Sequence, residues 1–184
     1  MLAWIRAHDG PNTTLLGICV GSSILADTGL LDGHRATTNL FWFDRTAPAH
    51  PQVRWTRGVR YVDDGNVITS TSLASGVDAT LHTVARLVGR STAEDVARQL
   101  GYTHTAYLDD PRFQAPTASA LPLPIIVNEG FEWPQERLGV LLPGGVSEFA
   151  LAALLDPYTA TLVATTRVVA PERAPVLSRD GLIF

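Results

Sequence analysis

The chain has 184 residues, 46% of them hydrophobic and 17% charged, with a net charge of −4. That composition can bury a real core in one globular domain of ordinary size and excludes a disordered tail. The acidic balance excludes a general nucleic-acid surface, no apolar run approaches the ~20 residues of a membrane span, and a single cysteine cannot close an internal disulfide. The expectation is a cytoplasmic protein without membrane contact, metal or cofactor.

Met1 to His8 places Leu2, Ile5 and Arg6 at helical spacing, and Gly10-Pro11 stops the run. Thr13 to Ile18 is a short apolar stretch of strand length, and Ser22 to Leu31 is apolar at helical spacing. Cys19 sits at the turn between them, flanked by Gly17 and Gly21 as G-x-C-x-G. This is the cysteine counterpart of the nucleophile elbow, in which a strained turn lifts a nucleophile to the sheet's carboxyl edge. The glycines are expected there because side chains would collide with neighbouring backbone. A thiol at the first turn of a helix also sees the positive end of the helix dipole, which favours thiolate.

Asp32-Gly33 reads as a turn, Arg35 to Phe43 as mixed polar and aromatic, and Pro48 to Trp55 as a loop entering a short extended segment. Val59 to Val62 and Val67 to Ser70 flank Asp63-Asp64-Gly65-Asn66, a hairpin signature. The two aspartates read as a solvated turn rather than a metal site. Ser75 or Gly76 is expected to open a helix over Val77 to Val88, with Asp78 in its first turn and His82 packed or at the surface. Ser91 and Glu94 form a capping-box pattern for a further helix, whose stripe is Ala93, Val96, Ala97 and Leu100.

Asp109 to Pro124 is rich in Pro, Ala and Ser and reads as a linker whose tail LPLPIIV docks on the body. After it, Leu138 to Leu142 is a buried strand, Gly144-Gly145 a turn, Ser147 an N-cap, Glu148 to Leu155 a helix and Thr159 to Thr165 a strand. These make a β-α-β unit, with Val168 to Phe184 as an added hairpin. Pro-Gly-Gly is not a phosphate loop, because G-x-x-x-x-G-K-[ST] is missing and the chain has no lysine.

The run ICVGSSILADTGLLDGHRATTN resembles the nucleophile segment of the DJ-1/PfpI (ThiJ) superfamily of class I glutamine amidotransferase-like domains, and YVDDGNVITSTSLASGVDATLHTVARLVG continues the likeness. The resemblance covers Met1 to about Tyr102. It implies an α/β, flavodoxin-like three-layer sandwich with a mostly parallel sheet, incomplete or permuted here. It also implies Cys19 as nucleophile, with Gly17, Val20, Gly21 and Asn39 around the developing negative charge. The family's Ala-Thr-Thr segment is usually followed by His, where this chain has Asn39, and Thr often follows the cysteine, where it has Val20. An amide cannot act as a general base. The opening half of the same fold resembles the last stretch of this chain, where the family's acid falls at Ala150; Glu148, two residues earlier, is the weak candidate acid. A class I amidotransferase would need a later His-x-Glu pair, and an α/β hydrolase a late acid and histidine.

The expected organisation is therefore a closing half with the elbow over 1–108, a linker over 109–136, and an opening half of the same or a following domain over 137–184. Either a permuted domain or a window from a tandem protein accounts for that order. The strand that precedes the first helix in the family has no counterpart, so the open sheet edge is expected to favour a homo-oligomer or a poorly stable monomer. Two function classes follow. One is a cysteine-dependent hydrolase or hydratase acting on a small electrophile. The other is a catalytically degenerate ligand-sensing or structural domain, as in AraC-type regulators, with a small-molecule ligand and no direct nucleic-acid contact of its own.

Overall fold

The structure, a computed structural model, describes residues 1–114, 127, 130, 136–160 and 164–184. Of the expected linker over 109–136, residues 115–126, 128, 129 and 131–135 lie outside these residues, while Pro111, Arg112 and Phe113 pair with Gly58–Arg60 of the first unit. The chain divides into two compact units, Met1–Ala118 and Ser119–Phe184.

In the first unit, helix α1 (Leu2–His8) leads to strand β1 (Leu15–Gly17), the turn at Cys19 and helix α2 (Gly21–Asp27). The expected helix to Leu31 stops four residues early. The Thr28 hydroxyl donates to Leu25 O, and Gly29 then takes a φ of 80°, open to glycine at no steric cost. Strand β2 (Arg35–Ala36), helix α3 (Phe43–Ala49) and strand β3 (Arg54–Trp55) follow. Helix α3 was not read from the residues, and it takes only Pro48 and Ala49 from the expected loop over Pro48 to Trp55. Asp44 lies in its first turn, and Pro48 falls in its last, where it has no N–H to donate to the Asp44 carbonyl.

Strands β4 (Tyr61–Asp64) and β5 (Val67–Ser70) are the predicted hairpin, antiparallel in register from Tyr61↔Ser70 to Asp64↔Val67. The loop is Gly65-Asn66, so Asp63 and Asp64 are strand residues, not a solvated turn. Asp63 accepts from His82 Nε2 at 2.7 Å and Arg86 Nη1 at 2.8 Å. Asp64 accepts from His34 Nδ1 and the Arg35 backbone N–H, both at 3.0 Å, and these contacts hold its carboxyl below the usual carboxylate range, the Arg35 amide most of all.

Strand β1 pairs with β5 in parallel, giving the order β1-β5-β4. Alternation along those strands builds two cores. Leu15 and Val67 pack with Leu25, Ala26 and Leu31 on one face, while Leu16 and Ile68 pack with Tyr61 and Ala79 on the other. The second face is covered by helix α4 (Leu73–Val88), and helix α5 (Arg90–Leu100) packs on α4 through Leu81, Ala93 and Ala97.

Two capping expectations fail here. The N-cap of α4 is Ser72, whose hydroxyl accepts from Ser75 N at 3.0 Å, so Asp78 lies beyond the first turn. Its side chain is 1% exposed and is paired with Arg60 and the Tyr102 hydroxyl. Helix α5 starts at Arg90 directly after Gly89, which takes a φ of 104°. Ser91 is thus inside the helix, and Glu94 pairs with Arg90 at 2.8 Å instead of closing a capping box.

The second unit is the expected β-α-β crossover: strand β6 (Glu136–Leu141), helix α6 (Glu148–Ala160) and strand β7 (Ala164–Val169), with β6 and β7 parallel from Glu136↔Ala164 to Leu141↔Val169. Ser147 caps the helix as expected, its hydroxyl accepting from Ala150 N at 3.3 Å. The helix runs past Leu155 through Pro157, so Thr159 is helical and the strand begins later than the residues suggested. Three of the four pairings between named strands are parallel. The terminal hairpin is short, with Val176 and Phe184 exchanging backbone hydrogen bonds of 3.0 and 2.9 Å around Asp180-Gly181.

Candidate functional site

Strand β1 ends at Gly17 because nothing larger fits. A Cβ there would stand 2.9 Å from Leu25 Cδ1 and 3.0 Å from Ser22 Cα. Gly21 is different. A Cβ at Gly21 would meet nothing within 4 Å, so the flanking glycines are not equivalent and only the first is sterically required. A second close approach, not read from the residues, is Gly76 on α4, where a Cβ would lie 2.6 Å from Ile18 Cγ2. It lets α4 press against the residue that precedes the cysteine.

Between these contacts the backbone turns sharply. Cys19 has a φ of 57°, and it alone among the non-glycine residues described lies in the left-handed region. Such a conformation costs about 1–2 kcal/mol, so it persists only where neighbours over-determine it. Here they do. Cys19 N donates to Ser70 O at 3.1 Å, Gly21 N to Ile18 O at 2.8 Å, Ser22 N to Cys19 O at 3.2 Å, and the Ser22 hydroxyl to Gly17 O at 2.9 Å. The same bonds satisfy the amides of Gly21 and Ser22, so they are not the unpaired donors that a bare helix start would offer. No spacing rule pointed to Ser70, because its role follows from the β1–β5 register.

Asn39 lies beside the sulfur. Its Nδ2 donates to Cys19 Sγ at 2.9 Å, while its Oδ1 accepts from Phe41 N at 2.9 Å and Trp42 N at 3.3 Å. Two backbone donors on the oxygen leave only the amino group to face the thiol, so the amide's orientation is set by its own loop. The loop is anchored from behind. Thr37 N donates to Thr69 Oγ1 at 2.9 Å, Thr38 Oγ1 and Ser23 Oγ lie 3.0 Å apart, and Thr37 and Thr38 are fully buried. Cys19 itself is partly exposed, and Val20 beside it is 44% exposed.

The DJ-1/PfpI family model matches residues 1–86, the stretch that carries this turn and the Asn39 loop. Residues 1–86 are similar to the DJ-1/PfpI family. Two curated relatives agree. The chain is 35% identical over 99 residues to the HTH-type transcriptional regulator CdhR of Pseudomonas aeruginosa, covering 54% of this chain and 29% of that one. It is 36% identical over 103 residues to the isonitrile hydratase of Pseudomonas putida, covering 55% and 43%. The chain thus spans less than half the length of either. Among solved structures the VC2308 protein superposes with a TM-score of 0.50 at 23% identity, over 59% of this chain and 56% of that one. The matched segment accordingly has an α/β, flavodoxin-like fold, carried among the described residues by the β1-β5-β4 sheet and its helices.

Glu148 lies in the second unit, outside the DJ-1/PfpI segment. Its Oε1 accepts from the Ser178 hydroxyl and from Asp180 N, the latter at 3.2 Å, tying the start of α6 to the terminal hairpin. These contacts, the Ser178 hydroxyl first, hold its carboxyl at about 2 instead of the usual 4.5. Because the folded value is depressed, the tie is complete above about 4.5 and is lost as pH falls towards about 2. Melting curves recorded from pH 5 down to pH 2 should show that loss in the wild type, and Glu148→Gln should flatten it; an unchanged acid limb would show that the carboxylate does not brace the hairpin. Among the described residues, no group of three His, Cys, Asp or Glu is placed to hold a metal ion, and no helix is long and apolar enough to cross a membrane.

Proposed function

We propose that the DJ-1/PfpI segment presents Cys19 as a nucleophile to a small electrophile, the chemistry of a cysteine-dependent hydratase or hydrolase. The observation that carries this reading is the Asn39 Nδ2 to Cys19 Sγ contact of 2.9 Å, made to a residue held in a left-handed turn between strand and helix. An N–H aimed at sulfur stabilises negative charge there, and the turn sets the side chain at the end of β1. The thiolate would form a bond to the electrophilic carbon, whose π electrons move onto its heteroatom. Gly17 makes room for the turn, and the Val20 N–H would donate to that charge. Water then resolves the adduct.

A second reading has its own support. The Asn39 amide cannot accept a proton, and one relative is a transcriptional regulator, so the same turn would serve a ligand-sensing domain that captures without turnover. Under either reading the segment takes a small molecule, works in a reducing, cytoplasmic setting and touches no nucleic acid directly. Its strand β1, at the edge of the described three-stranded sheet, would favour pairing with a second copy. Glu148 is not part of this proposal, because it lies in the second unit with its Oε1 bound to the hairpin.

Iodoacetamide at neutral pH followed by intact mass measurement tests the core claim. One adduct, absent in Cys19→Ala and formed faster than on glutathione, is expected. A native protein that stays unmodified while its urea-unfolded form reacts would overturn it. Catalytic turnover of a small isocyanide or carbonyl compound would then separate enzyme from sensor.

A further inference from the structure

Three elements that meet at Cys19 each leave a large apolar side chain in water. Val20, next in the chain, is 44% exposed; Phe41 and Trp42, whose amides hold the Asn39 oxygen, are 52% and 50% exposed; Leu73, at the start of α4, is 58% exposed. Leu73 belongs to the group through a short relay, since Ser70 Oγ lies 3.3 Å from Cys19 N and 3.3 Å from the carbonyl of Ser72, the residue before it. Scattered apolar exposure is ordinary, but these four side chains stand on the turn, the loop and the helix start that hydrogen bonds join around one partly exposed thiol.

The Asn39 side chain at this rim is already occupied. The Asn39 oxygen takes two amides and its amino group faces the sulfur. The Arg45 guanidinium sits 5.8 Å from the Trp42 ring centroid, over the ring. The neighbouring Arg57 is spent on Asp44 and lies 3.8 Å from the centroid of Phe43. What the rim offers an arriving molecule is apolar area.

We infer that the Cys19 site selects uncharged electrophiles carrying an aromatic or alicyclic substituent, with Phe41 and Trp42 as the specificity-determining side chains. This rests on the reading of Cys19 as a reachable nucleophile. The substituent loses water contact against the rim while its electrophilic carbon reaches the sulfur, so binding energy comes from area and not from charge pairing.

The test uses one leaving group and three substituents on the full chain: iodoacetanilide, iodoacetamide and iodoacetate. In each case the sulfur forms a bond to the CH2 carbon, the carbon–iodine bond breaks with iodide taking the electron pair, and the thiol proton goes to water. Rates are divided by those of glutathione to remove intrinsic reactivity. Iodoacetanilide should then exceed iodoacetamide by about fivefold to tenfold, the yield of partly burying a phenyl ring, and iodoacetate should trail both. Phe41→Ser combined with Trp42→Ser should bring the anilide-to-amide ratio down to that of glutathione, its fold checked by circular dichroism. A wild-type ratio equal to that of glutathione, with iodoacetamide still reacting, overturns this inference alone. An iodoacetate advantage overturns it too and makes Arg45 an anion reader. A rate that drops as protein concentration rises assigns the rim to a second copy of the chain and also overturns it. Failure of all three reagents on the native protein removes the parent reading.

Discussion

Asp78→Ala lowers the unfolding free energy by about 3–5 kcal/mol, the range for breaking a buried ion pair from one side. Asp78 is 1% exposed and its partner Arg60 is 17% exposed, so the substitution strands a guanidinium that water reaches poorly. The Tyr107 ring, 4.3 Å from the Arg60 guanidinium, is a weak substitute. Tyr102, whose hydroxyl donates to Asp78, loses that bond as well. Burial, with that bond to Asp78 second, pushes the Tyr102 hydroxyl up to about 12. Asp95→Ala is the matched control. Its pair with Arg98 is 57% and 75% exposed, and such pairs contribute roughly 0–1 kcal/mol. Urea titration followed by tryptophan fluorescence measures both, and a loss below about 1 kcal/mol for Asp78→Ala would show that the α4–α5 face does not depend on this pair.

Asn39→Asp slows iodoacetamide modification of Cys19 by about 10- to 100-fold at neutral pH, the worth of one hydrogen bond to a charged group, about 1.5–3 kcal/mol. The exchange is selective. The carboxylate still accepts from Phe41 N and Trp42 N, so the loop keeps its geometry, but an oxygen now faces the sulfur where an N–H did. Repulsion between that oxygen and a thiolate adds to the lost donor. The melting temperature should move little, because the side chain sits at a partly exposed rim. A rate equal to that of the wild type would mean that the amide does not act on the sulfur, whatever its position.

The residues disclosed the parts of this protein that repeat. A two-residue period gave the β4–β5 hairpin, a run of apolar spacing gave α2 and α5, and the strand–Gly-Gly–helix order gave the β6–α6–β7 crossover. Boundaries were harder for identifiable reasons. The residues suggested Ser75 or Gly76 as the start of α4, whereas Ser72 caps it by accepting from Ser75 N, and Gly76 lies inside the helix where it packs on Ile18. The Ser91 box failed because Gly89 starts α5 two residues sooner than a serine cap would. The end of α6 was misplaced because its alanines, leucines and threonines carry no polar stripe to separate helix from strand.

The site divides in the same way. Cys19 and Asn39 were legible, one from its flanking glycines and the other from the place where the family has histidine. The roles of Ser70, Phe41 and Trp42 depend on chain segments that approach one another only after folding, and no local pattern marks them. Gly21 illustrates the opposite error. It belongs to the motif, yet the space around it is open, so the pattern overstated its steric part.

The hydrogen bond from Cys19 N to Ser70 O joins positions 51 apart, and this orders events during synthesis. While a ribosome is still translating the hairpin, the cysteine has no strand to lean on and its backbone is free to relax out of the left-handed well. The thiol can be placed only once β5 has emerged from the exit tunnel, so a nascent chain arrested before Ser70 should carry an ordinary, unpositioned cysteine. Whatever chemistry the sulfur performs is thereby switched on late, by translation itself.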